Sequence, residues 1–127
     1  MKIYKYDGLL CTDISITFGE KTKVLNNIVI DTGAVQSIIN SLVVEDLDIV
    51  PRFLDELSTT IGIGGEMSFF SKLIDEVKIS DKVFKSIEMD FGEIDSKGEI
   101  MGLIGLDILE KLRAVIDIEI SNIYYKV

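Results

Sequence analysis

Asp31-Thr32-Gly33 is the tripeptide of this sequence best suited to chemistry. It follows the continuous apolar run Ile28-Val29-Ile30, so a carboxylate leaves a strand end that reads as buried on both faces and enters a tight turn. Gly33 permits a close backbone approach or a positive φ that other residues resist, and the Thr32 hydroxyl is able to bond locally and fix the turn. Asp and Gly also favour ordinary strand-to-loop turns. Average composition puts this tripeptide in roughly a few per cent of chains of this length. What the rest of the chain lacks narrows its meaning. The 127 residues include no His and a single Cys, Cys11. A Ser-His or Cys-His nucleophilic pair, an imidazole metal site, a thiolate zinc cluster and an intrachain disulfide framework are therefore excluded. Carboxylates, hydroxyls, amides and a few cations remain, so catalysis by this chain is carboxylate chemistry, and the sequence calls for no cofactor and no metal.

Charge and composition bound the partners. Lys plus Arg number 13 against 22 Asp plus Glu, a net charge of −9. Nucleic-acid backbones and anionic membranes would repel such a chain. At 127 residues and 47% hydrophobic content, one domain spanning 1–127 with a filled core is expected, and intrinsic disorder is not. Residues 1–8 lack the apolar core of a signal peptide, and no apolar run reaches the ~18 residues of a membrane span. Unpaired Cys11, read as a small buried strand residue, fits a reducing compartment. The expected location is cytoplasmic.

The elements that must position Asp31 follow mostly a period of two. Residues 13–18 place Ile14, Ile16 and Phe18 on one face of a half-buried strand, and Gly19-Glu20-Lys21 turns into a second strand over 22–30. Residues 115–120 alternate again, with Ile116, Ile118 and Ile120 on one face, and 123–127 supply a partner strand after a turn near Ser121-Asn122. Hairpins are expected at Ile61-Gly62-Ile63-Gly64-Gly65-Glu66 and at Ser80-Asp81-Lys82. Two short helices interrupt the pattern. One covers 42–47, capped by Asn40 or Ser41 and followed by Pro51. The other covers 106–113, with Ile108, Leu109 and Leu112 on its buried face and Asp107 serving its N-terminal turn. Residues 92–99 have loop composition.

Gly105 comes 74 positions after Asp31, within Leu103-Ile104-Gly105 and directly before the second helix, and the Gly-rich hairpin lies between them. Asp-Thr-Gly-Ala, a glycine-tipped hairpin and apolar-apolar-Gly before a helix, in that order, resemble the retroviral-type aspartic peptidases, the retropepsins. The resemblance extends over roughly 14–120. It implies a mainly-β fold, a closed β-barrel with two short helices and one active-site loop per chain. It further implies that Asp31 is the catalytic aspartate, that the Thr32 hydroxyl reaches the loop of a second copy, and that Gly33 offers a backbone N–H to the carboxylates. Ala34 would border the substrate groove, Ile63, Gly64 and Gly65 would form a flap over bound peptide, and Leu103-Ile104-Gly105 would pack beneath the loop. Retroviral members often carry an acidic residue after Asp-Thr-Gly-Ala and an arginine after the late Gly, and these pair; here Val35 and Leu106 stand there, so an apolar contact could replace the bridge without leaving a buried charge unpaired.

Hydrolysis of a peptide bond by carboxylates alone needs one ionised as base and one protonated as acid, sharing a water. The chain holds one Asp-Thr-Gly and no second Asp-Thr/Ser-Gly. A homodimer meeting at a two-fold axis through the motif would supply the other carboxylate. The expected function is a homodimeric aspartic endopeptidase acting on peptide or protein substrates. The alternatives are a catalytically silent peptide-binding or scaffold module of the same fold, and an unrelated β domain in which the tripeptide is accidental.

Overall fold

In the computed structural model, residues 2–52, 57–62 and 65–125 are described, with side chains described outside 53–67. The period-two stretch becomes β2 (Leu9–Phe18), with Cys11, Ile14 and Ile16 buried, and it pairs antiparallel with β3 (Lys21–Ile30). β2 starts earlier than the alternation does. Asp7 and Gly8, at φ 51° and 79°, form a two-residue turn that folds β1 (Tyr4–Tyr6) onto it, with Tyr6 opposite Leu9. Positive φ at both central positions matches the right-handed twist of a tight hairpin, and Asp-Gly is a favoured pair for it.

Eight strands form one sheet in the order β1-β2-β3-β8-β4-β7-β6-β5, where β4 is Ile38–Asn40, β5 Leu57–Gly62, β6 Gly65–Ile79, β7 Lys82–Gly92 and β8 Gly102–Ile104. β6 also pairs β2 through Ser15–Lys78, Ile16–Val77 and Thr17–Glu76, so the hydrogen-bonded path leaving β2 through β3 returns to it. Fifteen residues in β6 allow it to pair with β5 at one end and with β2 at the other. The hairpins expected around 61–66 and 80–82 are present, with Gly62 opposite Gly65 and Ile79 opposite Lys82. The interior is an aliphatic cluster including Ile16, Leu25, Ile28, Ile39, Ile74 and Ile104, with Phe70 stacked on Phe91 at 5.5 Å.

Three expectations need correction. The helix over 42–47 is two 3-10 turns, Ser41–Val43 and Glu45–Leu47, parted at Val44, which is fully buried at φ −120°. Burying this β-branched side chain takes its backbone out of helical geometry; the expected cap holds, with Asn40 Oδ1 accepting from Leu42 N at 3.2 Å. The strand over 115–120 ends early, as β9 (Ala114–Asp117). Asp117 Oδ1 accepts from Ile120 N at 3.2 Å and Ser121 adopts φ 50°, so residues 118–121 turn the chain into β10 (Asn122–Tyr125) and leave Ile118 and Ile120 67% and 62% exposed. Of the run Ile28-Val29-Ile30, only Ile28 is fully buried, the other two being half-buried. The second helix stands as α1 (Leu106–Leu112) with the expected buried face, and Arg113 in left-handed geometry ends it. No helix among the described residues is long and apolar enough to cross a membrane.

Candidate active site

The site loop is a consequence of strand order. β8 lies between β3 and β4, parallel to the first and antiparallel to the second. A chain leaving β3 must therefore cross the end of β8 to enter β4, and residues 31–37 make that crossing. Gly105, the residue after β8, sits directly under them. A Cβ on Gly105 would lie 2.6 Å from Ala34 O and 3.0 Å from the Gln36 carbonyl, all backbone, so no side chain fits there. The expected packing of Leu103-Ile104-Gly105 beneath the loop is what the topology produces.

Asp31 is half-buried, and its N–H donates to Ile104 O at 2.9 Å, extending the β3–β8 ladder into the loop. Its carboxylate Oδ1 accepts from Gly33 N at 2.9 Å, and Ala34 N closes the turn on Asp31 O at 3.2 Å. A Cβ on Gly33 would lie 3.2 Å from that same Oδ1, so glycine lets the carboxylate fold against the turn. Thr32 and Gly33 are exposed and Ala34 is half-buried. The Thr32 hydroxyl has no hydrogen-bond partner among the described residues. Gly65 pairs with Gly62 in the β5–β6 hairpin, whereas the expected groove residues Ile63 and Gly64 lie outside the described residues.

Val35 and Leu106 do not bury each other, as Val35 is 75% and Leu106 36% exposed. Loop and helix are joined differently. Leu106 N donates to Ala34 O at 2.8 Å and Asp107 N to Val35 O at 3.2 Å. The Asp107 carboxylate accepts Ser37 N at 3.0 and 3.1 Å and Ser37 Oγ–H at 2.7 Å, while Ser37 Oγ accepts Gly105 N at 2.9 Å. Asp107 does touch its own helix turn, accepting from Ile108 N at 2.8 Å, but most of its bonds reach back to the loop. Sequence reading missed Ser37 altogether and gave Asp107 only the helix. The available signal was a polar residue shortly after each motif glycine, Ser37 four positions after Gly33 and Asp107 two after Gly105.

The groups with displaced acidity lie elsewhere and have structural causes. Burial, with the hydroxyl donating to Asp13 at 2.6 Å, pushes Tyr4 up to about 12. Burial also raises the Cys11 thiol. The hydrogen bond from Lys23 holds Asp46 below the usual carboxylate range, and N–H groups of Ile100 and Lys97 do the same for Asp95. Among the described residues, no group of three or more His, Cys, Asp or Glu side chains is gathered to hold a metal ion.

A family model described as aspartyl protease matches residues 14–108. The chain belongs to that family. The match spans both Asp31-Thr32-Gly33 and Gly105, and the solved structures similar to the chain share its retropepsin-like fold. The EIAV protease, solved with the inhibitor HBY-793, is 23% identical with a TM-score of 0.66, over 91% of this chain and 98% of that one. A retropepsin-like aspartic protease from Rickettsia conorii is 22% identical with a TM-score of 0.64, over 91% and 90%. The retroviral protease-like domain of Ddi1 from Leishmania major is 17% identical with a TM-score of 0.64, over 93% and 88%. No curated protein matches the chain. The mainly-β retropepsin-like fold and the family together support a peptidase.

Proposed function

We propose that this retropepsin-like protein is a homodimeric aspartic endopeptidase whose reacting groups are two Asp31 carboxylates, one from each copy. The observation that carries this reading is the state of Asp31: delivered by β3 and bonded through its N–H to β8, half-exposed, with its carboxylate accepting one backbone N–H through one oxygen. Two carboxylates about 3 Å apart cannot both ionise, so the pair holds one proton. The ionised member takes a proton from a shared water, whose oxygen attacks the peptide carbonyl carbon. The protonated member gives its proton to the carbonyl oxygen. Proton return to the amide nitrogen then lets the C–N bond break. Thr32 contributes its exposed hydroxyl to the partner loop, Gly33 its N–H to the carboxylate, and Ala34, Ile63, Gly64 and Gly65 line the peptide groove. Exposed Val35 and Leu106, flanking the loop, suit an uncharged contact between two chains that each carry −9. The path that returns to β2 through β6 supports reading the sheet as a closed barrel.

Digestion of a denatured protein mixture across a pH range, with and without a transition-state-mimicking aspartic peptidase inhibitor, tests the activity. Inhibitor-sensitive cleavage that falls at both pH extremes is expected, because the dyad must hold a single proton. A dimer in sedimentation with no cleavage at any pH would instead favour the silent binding module. A strict monomer at high concentration would sink the dyad. Thr32→Ala is expected to weaken the dimer, with activity returning in part as protein concentration is raised.

A further inference from the structure

We infer that Asp107 and Ser37 are positioning residues for Asp31, acting through one directional chain of hydrogen bonds beneath the loop. The chain begins at the Asp31 backbone N–H, which donates to Ile104 O at 2.9 Å. The same peptide unit presents Gly105 N–H to Ser37 Oγ at 2.9 Å, and Ser37 Oγ–H reaches Asp107 Oδ1 at 2.7 Å. Its direction is forced by the groups themselves. An amide N–H only donates and a carboxylate only accepts, so the single hydroxyl proton of Ser37, already accepting from Gly105, goes to Asp107. Every dipole therefore points the same way and ends on a negative charge. Charge-assisted bonds are the strong ones, and aligned bonds polarise one another.

The placement of these groups gives the chain its purpose. Ser37 is 3% exposed and closes the loop, whereas Thr32, Gly33, Val35 and Gln36 between it and Asp31 are exposed and contribute no side chain to the support below. Asp31 is anchored through Ile104, and Ser37 through both carboxylate oxygens of Asp107. The two anchors share the Ile104–Gly105 peptide, so loosening one loosens the other. This tie does the work for which Val35 and Leu106 have no charges, and it leaves those two side chains free to face outward. The effect on catalysis rests on Asp31 being the reacting group, as proposed above; the chain itself is a property of the fold and is open to a separate measurement.

The experiment compares the full chain with Ser37→Ala, which removes the middle link but keeps the Asp107 bonds to the backbone of residues 37 and 108, and with Asp107→Asn, which keeps an acceptor oxygen and removes the charge. Amide exchange and amide proton shifts of Asp31 and Gly105 are read by NMR on isotope-labelled protein, with Leu25 as a remote control. In Ser37→Ala, exchange at both amides is expected to accelerate about tenfold while Leu25 is unchanged, the scale of one lost hydrogen bond to a charge-linked acceptor. Asp107→Asn is expected to shift both amide protons in the direction of weaker bonding with a smaller gain in exchange. On a peptide substrate, Ser37→Ala should lose about tenfold in kcat with KM within about twofold, since a misplaced reacting group costs turnover more than binding, and Asp107→Asn, which keeps an acceptor for Ser37, should show a much smaller loss. Wild-type exchange at both amides in Ser37→Ala would overturn the inference, as would a loss carried equally by KM. Absence of peptidase activity in the wild-type protein would refute the proposed function, leaving the amide measurements to decide the positioning chain.

Discussion

Two loops on either side of β4 each carry an aspartate bonded by backbone N–H groups, and they use it in opposite ways. In the loop over 93–101, Asp95 turns inward on its own segment: its carboxylate accepts Ile100 N at 2.8 Å and Lys97 N at 3.1 Å, and its carbonyl accepts Gly98 N and the Asn40 side chain. That carboxylate builds the loop, and its pKa, held below the usual carboxylate range by the Ile100 and Lys97 N–H groups, records the work. Asp31 takes one N–H, from Gly33, while its own loop is held from outside by β8, by the start of α1 and by Asp107. A carboxylate that must do chemistry is better free of structural duty, and the crossing over β8 makes this possible because neighbouring elements support the loop. The two carboxylates differ in the local N–H donors spent on them, two at Asp95 and one at Asp31, a difference that fits the reacting role proposed for Asp31.

The largest effect that would test this contrast is on turnover. Asp31→Asn is expected to lower kcat by roughly three orders of magnitude, the scale of removing acid–base catalysis, while circular dichroism and sedimentation remain those of the wild type, because the amide keeps the size and the Gly33 contact. In the proposed dimer, replacing the closely placed carboxylate pair by amides removes the cost of holding a charge there and should leave stability level or raise it. An Asp31→Asn protein that unfolds would erase the distinction from Asp95.

Gly105→Ala comes next. Its Cβ would meet Ala34 O at 2.6 Å, and backbone on a supported crossing cannot swing aside as a side-chain tip can. Overpacking of this kind costs roughly 1–3 kcal/mol, read as a lower midpoint in urea unfolding together with a loss of activity. An unchanged midpoint would mean that the loop is not held against β8.

Asp95→Ala is expected to lower the melting temperature at neutral pH without changing kcat per folded molecule. The folded-state pKa of Asp95 lies below the ordinary value of 3.8, so its contribution is fully present above that value and is lost as pH falls through the folded pKa. The difference in melting temperature between wild type and variant should therefore narrow below about pH 4 and vanish in stronger acid. A difference independent of pH would assign the effect to packing.

The smallest effect concerns Cys11, opposite Val29 on the strand that delivers Asp31. The thiol has no exposure and burial raises its pKa, so a maleimide should leave it unlabelled in native buffer and label it on unfolding. Labelling of native protein would show that the β2–β3 pair opens and that Asp31 is less firmly delivered than the loop over 93–101 is held.

Much of this arrangement is written in short-range pattern. Period-two alternation placed β2, the Gly-rich and Ser-Asp stretches placed two hairpins, and Ile108, Leu109 and Leu112 placed the buried face of α1. The order of Asp-Thr-Gly-Ala, glycine hairpin and apolar-apolar-Gly sufficed to reach the family, because the first two answer local backbone demands, a turn at Asp31 and a hairpin pairing Gly62 with Gly65, and the third marks a glycine that the loop above it requires. Where local pattern was ambiguous it misled. Ile118 and Ile120 keep the spacing of a strand, yet the Asp117 carboxylate captures Ile120 N and turns the chain. Val44 looks helical in its neighbourhood but belongs to the core. Only the tertiary structure could decide that β8 lies between β3 and β4, and from this follow the crossing, the need for glycine at 105 and the meeting of Ser37 with Asp107, 70 residues apart. Nothing in the spacing of a serine and an aspartate so far apart encodes a contact; it exists because strand order brings one loop across the end of one strand, and a buried polar group there must find a partner.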